Sequence, residues 1–158
     1  MTDLIYDRTE ADVENAKRIR AEKVQQGVDL TASEIETLER GTLTINTLNR
    51  IEEKQEELKN LFEEDFYFVD KITNKHWDYT DYFKQSDFDR ILTNLEMLVK
   101  AYLVYTSTPA IPDGNYRKYE TINDTEKILF DLDLMINDVK SHYRECGETE
   151  CGEEQTND

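Results

Sequence analysis

Asn46-Thr47-Leu48-Asn49-Arg50-Ile51, Ser86-Asp87-Phe88-Asp89-Arg90-Ile91 and Asn123-Asp124-Thr125-Glu126-Lys127-Ile128 are three copies of one phrase. Each opens on a helix-capping residue, passes three positions, and closes on a basic residue followed by isoleucine. Apolar residues continue from each copy at spacings of three and four: Leu58 and Phe62; Leu95, Leu98 and Tyr102; Leu132, Met135 and Val139. A stripe of that spacing is the buried face of a helix, and three such helices close one core at the shallow crossing angles of bundles. The phrases therefore predict an all-α fold built on a three-helix antiparallel bundle.

Upstream, Thr9 can cap a first helix whose opening residues Glu10 and Asp12 suit the positive helix end, and which should stop near Gly27. Its apolar positions Val13, Ala16, Ile19 and Val24 are sparse, so it is expected to dock on something else. Thr31 and Glu34 match a capping box for a short second helix that Gly41 should end. Between the bundle helices, 65–85 is an aromatic connector containing Phe66, Tyr67, Phe68, Trp77, Tyr79, Tyr82 and Phe83. Phe66 to Ile72 reads either as a strand or as the last turns of the preceding helix. The second connector, 106–121, holds Pro109, Pro112 and Asp113-Gly114 and should cross between helices. The expected organisation is an N-terminal helical arm (1–42), a bundle with connectors (43–143) and an acidic tail (144–158).

The chain has 158 residues, 37% of them apolar and 35% charged, with a formal charge of -17. Nucleic acid and anionic membranes call for a basic surface, so other proteins are the expected partners. The charge is uneven. Arg8, Lys17, Arg18, Arg20 and Lys23 make the arm basic, whereas 145–158 contains no Lys or Arg. No apolar run reaches the length of a membrane span and the N-terminus lacks the order of a signal peptide, which points to synthesis and retention in the cytoplasm.

Little in the sequence reads as chemistry. Neither His76 nor His142 accompanies a nucleophile motif, and the five glycines never cluster as a phosphate-binding loop requires. His142, Cys146 and Cys151 are the sharpest candidate metal ligands, but a structural zinc needs a fourth, and two surface thiols beside a helix end is the preferred reading. Asp113-Gly114-Asn115 reads as a turn. No metal, cofactor or catalytic residue is assigned.

Tyr6-Asp7-Arg8-Thr9-Glu10-Ala11-Asp12-Val13, the phrases around Arg50, Arg90 and Lys127, and the closing Tyr143, Gly147-Glu148 and Gly152-Glu153 resemble, in their order, a group of small tail-associated structural proteins of phages and prophages of Gram-positive gut bacteria. The resemblance covers most of the chain. It implies a non-catalytic virion protein, made in the host cytoplasm and placed in a phage tail or baseplate, whose partners are other phage structural proteins and possibly itself. A cytoplasmic helical adaptor of host or prophage is the alternative. Two groups of residues are candidates for partner contact. Arg8, Lys17, Arg18, Arg20 and Lys23 would meet an acidic surface on a neighbouring subunit. Trp77, Tyr79, Tyr82 and Phe83 would either anchor a partner or cover the core, and the exposure of Trp77 discriminates the two.

Overall fold

The computed structural model describes residues 4–64, 68–69 and 71–148, the last six of these as backbone. The fold is all-α, with α1 (Glu10–Glu22), α2 (Ala32–Gly41), α3 (Ile45–Glu64), α4 (Gln85–Ala101) and α5 (Tyr119–Glu148), and no strand among the described residues. A single 3-10 turn, Val24–Gln26, extends α1 to Gly27, whose φ of 68° is the left-handed conformation that glycine adopts without strain.

The two N-terminal helices start where their capping residues stand. Thr9 and Asp12 form a reciprocal capping box, as do Thr31 and Glu34. Gly41 does more than end α2. A Cβ there would overlap the Asp12 carbonyl and the Ala16 methyl, so this glycine lets α1 and α2 pack backbone to backbone. The partner that the sparse face of α1 requires is thus α2 of the same chain.

Asn46, Ser86 and Asn123 do not cap the later helices. Thr44 caps α3, its hydroxyl accepting from the Thr47 amide at 3.2 Å. The start of α4 is held by the Asp87 carboxylate accepting from the Lys84 amide at 2.9 Å. Helix α5 begins ahead of Asn123, at Tyr119.

Helices α3, α4 and α5 each contact the other two around one core containing Ile51, Phe62, Ile91, Leu95, Ile128 and Leu132. They run parallel, which corrects the antiparallel expectation. Arg50 meets Glu126 and, one turn on, Lys54 meets Asp133. Likewise Glu52 meets Arg90, Gln55 meets Asn94, and Phe62 stacks on Tyr102 with ring centroids 4.9 Å apart. Partner numbers rise together in both series, and antiparallel helices would make one fall.

Parallel neighbours need connections that travel back the length of a helix, and both connectors do so. Along α3, Asn74 bonds Glu56, Lys75 bonds Glu52 and Trp77 bonds Asn49, so the first connector descends as α3 ascends. The second bonds Asp138 through Tyr105, Asp131 through Thr108, and Gln85 at the start of α4 through Gly114. Within the first connector Val69, Ile72 and Trp77 are buried in the core and Phe68 is exposed, and its described part is neither strand nor helix. Phe66 and Tyr67 lie outside the described residues.

The parallel sense brings the three repeated isoleucines, Ile51, Ile91 and Ile128, into the core together, all fully buried. Beside them lies a polar layer that composition does not suggest. Glu52, 1% exposed, accepts from the Lys75 amide at 2.7 Å, the Trp77 indole at 2.8 Å and both Arg90 terminal nitrogens at 2.5–2.7 Å. Glu126, fully buried, takes Arg50 Nε at 2.7 Å and Arg8 Nη1. Asn94 Nδ2 lies within bonding distance of Gln55, Thr73 and Asn74. Buried charge persists where it is paired and hydrogen-bonded, as the Glu52 and Glu126 carboxylates are, although Nη2 of Arg8 and of Arg50 is buried without a hydrogen-bond partner.

Candidate functional site

A cleft of about 730 Å³ opens at the end of the molecule where α3 and α5 begin. One wall is a single face of α1, made by Glu10, Val13, Glu14, Lys17 and Arg20 at helical spacing. The floor is apolar: Leu43 and Leu48 beside the start of α3, Ile122 on α5, and an aromatic cluster from the connectors. In that cluster Phe83 stands edge-on to Trp77 and Tyr116, with centroids at 5.3 and 5.1 Å, and Tyr116 continues to Phe88 at 6.0 Å. The far rim carries Arg117 and Lys118, just before α5, and Asp78 and Asp81, just after Trp77.

The electrostatics of the rim follow from local bonding. The Thr80 hydroxyl and amide hold the Asp78 carboxyl below its ordinary pKa. Asp81 is lowered by Lys75, 2.5 Å away, and by the Asp78 amide. Lys75 also lies over the Trp77 ring at 4.0 Å, so the connector fixes its own turn by an ion pair and a cation–π contact. On the α1 side, Lys17 and Arg20 are exposed and appear in no ion pair among the described residues.

The structure gathers five of the sequence-derived candidates, Arg8, Lys17, Arg20, Trp77 and Phe83, around this one cleft. Their states differ. Arg8 is 5% exposed: burial pushes its guanidinium below the ordinary value while Glu126 opposes the shift, and its amide and carbonyl are both held by Asn123. It is a core residue, and its acidic partner is Glu126 of its own chain rather than a neighbouring subunit. Trp77 is 2% exposed and covers the core, its indole on Glu52. Tyr79 and Tyr82 alternate with the lining residues and stand 94% and 80% exposed. Arg18 bonds Asn15 at 3.3 Å and Lys23 pairs with Glu34 at 2.7 Å, both away from the cleft.

His142 is exposed, with Nδ1 at 2.7 Å from the Asp138 carbonyl. The Cys146 side chain and Cys151 lie outside the described residues, among which no cluster of three metal-ligating side chains occurs. No described helix is long and apolar enough to cross a membrane. Comparison with protein-family models, curated proteins and solved structures returns no match.

Sequence reasoning missed Glu52, Glu126, Gln55 and Asn94 as core groups and Arg117 and Lys118 as rim groups. Glu52 and Gln55 had a signal. Leu48, Ile51, Glu52, Gln55, Leu58 and Phe62 form one continuous stripe, and a polar residue on an apolar stripe asks for a buried partner. Arg117 and Lys118 had none, because their place depends on the path of the second connector.

Proposed function

We propose that the chain is a non-catalytic virion component, part of a phage tail or baseplate, that works by holding other protein surfaces. The observation that carries the contact role is the cleft with its aromatic floor and charged rim, flanked by the exposed rings of Tyr79 and Tyr82. Tyrosine gives rigid amphipathic contact area at low entropic cost, and two such rings on a bonded turn make a suitable anchor. The place in a tail rests on the ordered resemblance of the phrases from Tyr6 to Gly152. Partners are then other phage structural proteins, met after synthesis in the host cytoplasm.

Mass spectrometry of purified virions tests the reading. A stoichiometric component of the particle supports it. Absence from particles, with the protein left in the lysate, favours a cytoplasmic helical adaptor. Tyr79→Ser with Tyr82→Ser should reduce incorporation into particles without changing the melting temperature, since neither ring contributes to the core.

A further inference from the structure

The two ends of this molecule are electrically unlike, and the difference runs along one axis. Because α3, α4 and α5 are parallel, their N-termini, with positive partial charge from unpaired amides, gather at the cleft end. Lys17, Arg20 and Lys118 stand exposed there without an ion pair among the described residues. Of the cleft's four carboxylates Asp81 is paired with Lys75, while Glu10, Glu14 and Asp78 keep their charge against Lys17, Arg20, Arg117 and Lys118, so the cleft is close to balanced in a chain that is strongly acidic overall. Glu10 and Glu14 precede Lys17 and Arg20, so the α1 wall passes from acidic to basic along its length. At the opposite end lies Glu148, the last described residue of α5, and the sequence 145–158 carries Glu145, Glu148, Glu150, Glu153, Glu154 and Asp158 with no basic residue.

We propose that this acidic C-terminal segment of one copy docks in the cleft of the next, so that the chain associates head to tail with itself. The segment cannot serve its own cleft. Helix α5 has 30 residues and Tyr119 at its start lines the cleft, which puts Glu148 about 45 Å away. Residues 149–158 span at most about 35 Å when fully extended. A second copy placed end to end meets no such limit. The net charge of -17 does not forbid the contact, because bodies separated by the length of α5 lie several screening lengths of about 8 Å apart at physiological salt. What two copies sense is the local pairing of ends. Such a contact is heterologous, so it propagates into rings or filaments instead of stopping at a dimer.

This inference shares with the proposed function only the premise of protein contact, and its test on the purified chain is independent of whether virions contain the protein. Sedimentation velocity of the full chain should show dimers and longer species at low salt that dissociate near 1 M salt. Lys17→Glu with Lys118→Glu spoils the cleft, and Glu148→Gln, Glu150→Gln, Glu153→Gln and Glu154→Gln spoil the segment. Each variant alone should associate on the order of tenfold or more weakly. Mixed, they should form dimers that grow no further, since only one intact cleft and one intact segment can meet. A chain that is monomeric at low salt, a salt-insensitive dimer, or a segment variant that still assembles would each overturn the proposal.

Discussion

Glu126 holds two guanidinium groups inside the molecule, Arg8 from the N-terminal arm and Arg50 from α3. Glu126→Ala would leave both buried without their anion. It should destabilise the fold by about 3–5 kcal/mol, the usual cost of breaking a buried pair from one side. Arg8→Ala should cost less, because Arg50 remains on Glu126; urea denaturation of the two variants gives the order, and equal midpoints would mean the layer is not shared. Gly41→Ala drives a methyl into the Asp12 carbonyl and Ala16, so a loss of about 1–3 kcal/mol is expected from overpacking. An unchanged urea midpoint would show that α1 and α2 can move apart freely. At this scale the capping boxes were readable because Thr9 with Asp12 and Thr31 with Glu34 are local. Glycine's role at position 41 was not, because close approach depends on a helix elsewhere in the chain.

Among the elements, the α1–α2 pair depends on carboxylates in their ionised form. Glu34 is pulled down to about 2 from 4.5, chiefly by Lys23 and then by the Thr31 amide, and Asp12 is lowered by the Thr9 amide and hydroxyl. A carboxyl whose folded pKa lies below its unfolded value stabilises fully above the unfolded value and loses that contribution as pH falls towards the folded one. Protection of the α2 amides against hydrogen exchange, measured relative to the intrinsic rate at each pH, should therefore fall between about pH 4.5 and 2, and the fall should be smaller in Glu34→Gln. The arm itself is tied to the body: Leu4 packs on the core, Tyr6 meets Phe130 at 4.9 Å and Arg8 reaches Glu126. Deleting residues 1–28 should lower the melting temperature seen by circular dichroism. An unchanged value would return the arm to the docking role that its basic composition suggested. That role was the natural reading of sparse apolar positions, since nothing local reveals that Arg8, one of the arm's five basic residues, is buried.

For the whole molecule, helix content was legible and direction was not. The stripes along α3, α4 and α5 look the same read from either end, so apolar spacing alone cannot distinguish parallel from antiparallel packing. The repeat carried the missing information. Arg50-Ile51, Arg90-Ile91 and Lys127-Ile128 recur at nearly equal separations, each leaving a helix plus enough chain to return to the same end. The aromatic richness of 65–85 fits this arrangement: a return strap lying in the groove beside α3 must be apolar where Trp77 and Ile72 enter the core. The cleft was only partly foreseeable, because Lys17 and Trp77 come to line one cleft only through the return of the first connector.

Parallel packing also bears on how fast the chain can fold. In an up-and-down bundle, neighbouring helices touch near their shared loop and close like a hairpin. Here Gln55 must find Ile91 across 36 residues, Arg50 must find Glu126 across 76, and Arg8 must find Glu126 across 118. Loop closure over such separations precedes any stabilising contact, and high contact order slows folding by orders of magnitude at equal stability. Stopped-flow refolding should therefore give milliseconds to seconds, the range of β-rich domains, where local helical bundles take microseconds to milliseconds. Submillisecond refolding in a single phase would mean that the return straps assemble early and guide the helices together.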